Sequence, residues 1–225
     1  QFNNTEHAAN LFGLKEFGNI YSRLGNPTVG ALEARLTALE EGAMCVALSS
    51  GTSAVMYSLI NIMSQGDNFV TANQLYGGTY TMFDNILPEY GINSKKVDIT
   101  DLEAVEAAID EKTRAIYCET ITNPGLVVAD ISALADIAHS KGIPLIVDAT
   151  FTTSAILKPF EYGADIVVYS LTKWMSGHGR VIAGAVIEKG GFDWGNGNFP
   201  LYDKPDTSYG GMRWGHDLGD LGNVA

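Results

Sequence analysis

From Thr28 onward, short unbroken apolar runs alternate with stretches in which apolar residues recur every three or four positions. The first pattern predicts strands covered on both faces, and the second predicts amphipathic helices. VGALEARLTALEEG places Leu32, Leu36 and Leu39 on one helical face, with Glu33, Thr37 and Glu40 elsewhere and Gly42 as its stop. AMCVALSS predicts a strand, followed by a helix that begins at Gly51 and runs to Met63. DNFVTAN reads as a strand, and GTYTMFDNILPEYG as a helix interrupted by Pro88. Thr100 and Glu103 stand at capping-box spacing before LEAVEAAI. TRAIYCET predicts a strand and DISALADIAHSKG a helix ended by Gly142, with IPLIVDAT, DIVVYS and VIAGAVIE as further strands.

This alternation implies an α/β fold, a mostly parallel sheet covered by helices on both faces. Ligands of such sheets bind beyond the carboxyl ends of the strands. Those ends read SSGT, ANQLYGG, ETITNPG, VDAT and YSLTK, and every one carries polar residues or glycine. The flanks differ. Residues 1–27 are polar and aromatic without clear periodicity. From Gly190 the chain is rich in Gly, Asn, Trp and Tyr, reads as a structureless tail, and stops at GNVA without a capping signal. A tail of this kind is unusual in a finished domain, so the sequence is expected to be a piece of a longer one.

Charge narrows the partners. The 225 residues carry a formal net charge of −12, which repels a phosphate polymer and argues against nucleic acid. No apolar run approaches the roughly twenty residues of a membrane span, and no basic-then-apolar leader is present. Cys45 and Cys118 sit in apolar surroundings without a CxxC or a histidine pair, which reads as buried free thiols of a reducing compartment. The cytoplasm is the expected location. His178 and the other three histidines have no metal-ligand spacing, and no Ser–His–Asp arrangement is legible.

At the strand ends, several residues admit two readings each. Lys173, flanked by Ser170 and Thr172, is either a surface lysine or a desolvated amine set to bond an aldehyde beside two phosphate-binding hydroxyls. Asp148 closes an apolar run, either as a turn residue or as a buried carboxylate in need of a cationic partner such as a pyridinium nitrogen. SSGTSA is either a plain strand-to-helix turn or an anion site in which Gly51 lets backbone N–H groups approach a ligand. Tyr76 in LYGGTY is a core aromatic or a stacking platform. Tyr21 and Arg23 are solvated or suited to phosphate, and Asn123 before Pro124 is a turn residue or a contact. Taken together, an amine, a carboxylate, an anion site, a flat aromatic and phosphate donors match the needs of pyridoxal 5'-phosphate.

YSRLGNPT, SSGTSA, QLYGGTY, ETITNPG, VDATF and SLTKWMSGHG, in this order, resemble the Cys/Met-metabolism family of PLP enzymes. EHAANLFGLKEFGNIY, SLTKWMSGHG and FDWGNGNFPLYDKPDTSY most resemble its O-acetylhomoserine sulfhydrylase branch. The resemblance implies PLP fold type I, the aspartate-aminotransferase-like large domain. Residues 28–225 would form that domain, truncated before a C-terminal domain, with residues 1–27 as an arm contacting a neighbouring subunit. It implies Lys173 as the Schiff-base lysine, Asp148 on the pyridine nitrogen and Tyr76 stacked on the ring. Gly51 and Thr52, with Ser170 and Thr172, would hold the phosphate, and Asn123 would lie near the phenolic oxygen. Thr150 is retained although VDATF has alanine where the family often has asparagine. Tyr21 and Arg23 would reach a neighbouring subunit's phosphate, making the protein a homo-oligomer, a dimer sharing sites and by expectation a tetramer. The implied reaction converts O-acetyl-L-homoserine and sulfide to L-homocysteine and acetate in methionine biosynthesis. Methionine γ-lyase and cystathionine γ-synthase or γ-lyase share every cofactor motif. A catalytically silent PLP-binding fragment is the alternative outside the enzymes, motivated by the uncapped C-terminus, and the arginine for the substrate α-carboxylate is expected from the C-terminal domain.

Overall fold

The polar groups of this chain are sorted by its sheet. The computed structural model describes residues 2–13, 15, 16 and 18–218. GNVA, and Leu14 and Phe17 within EHAANLFGLKEFGNIY, lie outside the described residues. The strands are β1 (Met44–Leu48), β2 (Asn68–Ala72), β3 (Asn93–Val97), β4 (Thr113–Glu119), β5 (Leu145–Asp148), β6 (Ile166–Ser170) and β7 (Gly184–Glu188). They form one sheet in the order β1-β7-β6-β5-β4-β2-β3. Pairs β2/β3, β2/β4, β4/β5 and β5/β6 are parallel, whereas β7 runs antiparallel to both β6 and β1. The carboxyl ends of β1, β2, β4, β5 and β6 therefore share one edge of the sheet.

The helices are α1 (Thr5–Phe12), α2 (Pro27–Glu40), α3 (Gly51–Ile60), α4 (Gly77–Thr81), α5 (Leu102–Ala108), α6 (Ile131–Ser140), α7 (Thr153–Ile156) and α8 (Pro200–Asp203). Among the described residues no helix is long and apolar enough to cross a membrane. β2 and β4 are buried at every position, as strands covered on both faces must be. Cys45 and Cys118 are free and buried.

Several elements depart from the sequence pattern for identifiable reasons. In α2 the buried positions are Leu36 and Glu40, while Leu32 is exposed. Glu40 turns inward because it accepts a hydrogen bond from the Tyr169 hydroxyl, and Glu33 accepts one from the Ala47 N–H on β1. The left-handed C-cap of α2 is Glu41, one residue before Gly42. Asp101 caps α5 through the Ala104 N–H, leaving Thr100 bonded to Asp98. The helix expected through Pro88 breaks earlier: α4 widens over Met82–Ile86 and tightens over Leu87–Tyr90. β3, NSKKV, carries no apolar run because it is the sheet edge, and lysines there deter further pairing. α1, inside the flank without periodicity, is started by the Asn4 side chain, which accepts from the His7 N–H.

The expected tail after Gly190 is packed instead. Trp194 and Phe199 are fully buried, and Trp194 stacks on Tyr202 with ring centroids 5.4 Å apart. Its indole Nε1 donates to Glu188 at 2.9 Å, and the Tyr202 hydroxyl accepts from Asn61 at 2.8 Å. Aromatic burial thus ties this segment to β7 and to the end of α3.

Gly51, first residue of α3, stands against the end of β6. A Cβ there would come within 2.4 Å of Ser170 Cβ and 2.7 Å of Ser170 Cα. Gly51→Ala should therefore force helix and strand apart and lower the melting temperature by roughly 4–10 °C. Differential scanning calorimetry checks this, and an unchanged Tm would mean that the Ser170 end yields without cost.

Candidate active site

A cleft of about 660 Å³ opens at the shared strand edge. Gly51, Thr52, Tyr76, Asn123, Asp148, Thr150, Ser170, Thr172 and Lys173 all line it. Five separate chain segments supply them, each the continuation of one strand. Tyr21 and Arg23 do not line it. They are exposed, with the Arg23 guanidinium 4.8 Å from the centre of the Tyr21 ring and bonded to its hydroxyl.

At one end of the cleft lies the N-terminus of α3. Ser50 caps it, its hydroxyl accepting from the Ser53 N–H at 3.1 Å, and the Ala54 N–H bonds the Ser50 carbonyl. Among the described residues the N–H groups of Gly51 and Thr52 have no acceptor, the ordinary condition of a first helical turn and the basis of anion binding. Ser170 supplies a hydroxyl beside them. The Thr172 hydroxyl is bonded on both sides to the Ala183 backbone, accepting from N at 3.1 Å and donating to O at 3.2 Å.

At the floor, Asp148 ends β5, half-buried. Its Oδ1 accepts from the Thr150 N–H at 2.9 Å, and its Oδ2 from the Tyr117 hydroxyl at 3.3 Å. Thr150 in turn accepts from the Ser170 N–H at 2.8 Å, joining the ends of β5 and β6. Burial pushes the Asp148 carboxyl above its ordinary range, against the pull of these hydrogen bonds. A cation over the free side of that carboxylate would relieve the cost.

Lys173 lies three residues past β6 and is exposed. Among the described residues its ammonium makes no hydrogen bond or ion pair. The desolvated amine is thus not present in this chain by itself, because the mouth around Lys173 is open. Tyr76 is 47% exposed at the cleft wall. Gly78 makes room for it, since a Cβ there would lie 2.6 Å from Tyr76 Cε1.

Pattern reading missed Glu119, at the end of β4. It is 5% exposed and lines the same cleft. Its Oε1 accepts from the Tyr76 N–H at 2.6 Å and its Oε2 from the Asn123 N–H at 3.0 Å. It lies opposite Asp148 in the β4/β5 register. Burial first, then the charge of Asp148, push its carboxyl up to about 7, against the two backbone hydrogen bonds. The signal was a carboxylate closing an apolar strand, the same one that singled out Asp148.

Residues 1–210 match the family model described as Cys/Met metabolism PLP-dependent enzyme. The chain is 47% identical over 213 residues to the O-acetyl-L-homoserine sulfhydrylase of Leptospira meyeri, covering 95% of this chain and 48% of that one. It is 47% identical over 222 residues to O-acetyl-L-homoserine sulfhydrylase 1 of Thermus thermophilus, covering 98% and 53%. The chain therefore spans about half the length of these relatives. Among solved structures, an O-acetylhomoserine (thiol)-lyase of Campylobacter jejuni bearing a pyridoxyl-lysine phosphate superposes with a TM-score of 0.94. Identity to it is 40%, over 99% of this chain and 56% of that one. A cystathionine γ-lyase of Lactobacillus plantarum superposes with a TM-score of 0.73 at 41% identity, over 77% of this chain and 45% of that one. The likeness covers the fold-type-I architecture of these PLP enzymes.

The raised Glu119 carboxyl fixes a sign. Between its ordinary value of 4.5 and about 7, the folded cofactor-free protein holds a proton that the unfolded chain releases. This contribution is complete below pH 4.5 and is lost as pH rises through 7. The stability of the wild type relative to Glu119→Gln should fall by on the order of 3 kcal/mol across that window and level off above it. Urea unfolding of both proteins from pH 4.5 to 8 measures it.

Proposed function

We propose, for a chain that belongs to the Cys/Met metabolism family of PLP-dependent enzymes, that the whole protein carries out a γ-replacement. O-acetyl-L-homoserine and sulfide become L-homocysteine and acetate. The Cγ–O bond breaks, acetate leaves with its electron pair, and sulfide forms the Cγ–S bond. The supporting observation is the convergence of five strand ends on one cleft that holds an amine, a carboxylate, an exposed aromatic ring and unpartnered helix N–H groups.

When bound, pyridoxal phosphate supplies an aldehyde that takes amines covalently and a ring that draws electrons from the substrate's α-carbon. The residues present fit it. Gly51 and Thr52 N–H groups, with the Ser170 hydroxyl, would hold the phosphate, and the Thr172 hydroxyl would join them only by leaving the Ala183 carbonyl. Tyr76 would stack on the ring, and Asn123 would lie near its phenolic oxygen. Asp148, aimed by Tyr117 and Thr150, would keep a proton on the ring nitrogen. Lys173 Nζ would hold the cofactor's aldehyde and, when free of it, would take the substrate's Cα proton and carry protons between Cα and Cβ. Lysine suits this work because its primary amine can both bond an aldehyde and carry a proton.

Tyr21 and Arg23 are assigned to the phosphate of a neighbouring copy, which makes the working protein a homo-oligomer of at least two subunits. The buried free thiols of Cys45 and Cys118 suit the reducing cytoplasm. A γ-lyase is the second reading, favoured by the likeness to the Lactobacillus plantarum cystathionine γ-lyase.

The test is product analysis with full-length, PLP-loaded protein and O-acetylhomoserine, with and without sulfide. Sulfide-dependent homocysteine and acetate are expected, and Lys173→Ala should lower the rate at least ~10³-fold. Chiefly 2-oxobutyrate and ammonia, even with sulfide present, would transfer the protein to the lyases.

A further inference from the structure

Tyr76 and Asn123 belong to different segments, one following β2 and starting α4, the other in the turn after β4. Neither backbone N–H is used by the sheet or by a helix. Each finds its acceptor on the same carboxylate, at 2.6 Å on Oε1 and 3.0 Å on Oε2 of Glu119. The Tyr76 side chain has no hydrogen bond to the first turn of α4, so its ring is held by its backbone and by the space above Gly78.

That arrangement is demanding. Once ionised, above about pH 7, Glu119 has two acceptor oxygens and no donor and so serves both N–H groups. Glutamine in its place turns an NH₂ against one of them, and aspartate lacks the reach of one methylene. The carboxylate is also nearly fully buried and stands opposite Asp148 in the sheet register. An apolar strand end would avoid burying a charge there.

We propose that Glu119 is a positioning residue, a two-oxygen clamp that fixes the separation of Tyr76 and Asn123 across the cleft and thereby sets how tightly the cofactor ring is held. The inference rests on the reading above, in which Tyr76 faces the ring and Asn123 its phenolic oxygen. Glu119 touches neither substrate nor cofactor in this assignment. It acts through the two backbones it holds.

The experiment titrates pyridoxal 5'-phosphate into full-length protein freed of cofactor at pH 8, where Glu119 is ionised, following visible absorbance and intrinsic fluorescence. Wild type, Glu119→Gln, Tyr76→Ala and the double variant are compared. Glu119→Gln is expected to keep its far-ultraviolet circular dichroism and to bind the cofactor about tenfold more weakly, the loss set by one unsatisfied buried N–H. If Glu119 works through Tyr76, the double variant loses less than the product of the two single losses. Affinity within twofold of wild type for Glu119→Gln, or single losses that multiply fully, overturns the clamp. Should the variant fail to fold, amide hydrogen exchange of the cofactor-free wild type decides. The Tyr76 and Asn123 amides should be protected equally and open together, and free-loop exchange at either one overturns the proposal. A wild type that takes up no cofactor overturns the cofactor reading itself, whereas normal uptake with an unaffected variant overturns only the role of Glu119.

Discussion

Strands covered on both faces leave polar side chains nowhere to go except the strand ends. In this sheet β2 and β4 are buried throughout, and β5 and β6 are apolar until their last residues. Because β1, β2, β4, β5 and β6 point the same way, their polar ends collect along one edge. The cleft follows from that constraint. Helix α3 then adds its N-terminal N–H groups at the same edge, and Gly51 permits the close approach to Ser170 that brings them in.

Having gathered there, two carboxylates sit on adjacent strands in register, Glu119 and Asp148. Both are raised by burial. They are held differently, and the difference separates their roles. Asp148 is gripped from behind by Tyr117 and Thr150, leaving its open side toward the cleft. Glu119 spends both oxygens on backbone N–H groups of the rim. One carboxylate faces the cleft and the other braces the wall around it. Such buried charge weakens the empty fold, the usual trade of stability for a preorganised site.

The mouth of the cleft is less finished than its floor. Lys173 and Trp174 are exposed, and Ile182 is 76% exposed at the same opening. Tyr21 and Arg23 pair with each other away from their own cleft. The chain spans about half the length of its relatives.

Most of the fold was legible because both-face burial writes itself as unbroken apolar runs, as in IPLIVD and DIVVYS, and because strand ends announce themselves by the polar residues that follow. That rule placed Lys173, Asp148 and Gly51 at strand ends, where they line the cleft. Local pattern did not carry what depends on partners distant in sequence. Glu40 is inward only because Tyr169 meets it across 129 positions. Trp194 is buried only because Glu188, Phe199 and Tyr202 surround it. β3 lacks an apolar run because an edge strand needs none. Glu119 read as the end of a strand, since its function lies in two N–H groups 43 and 4 residues away. Residue type and order determined which groups stand at the strand ends, a consequence of hydrophobic burial alone. Which of them face the cleft and which face one another was decided by the tertiary structure, because hydrogen bonds need both partners within about 3 Å and no sequence spacing states that distance.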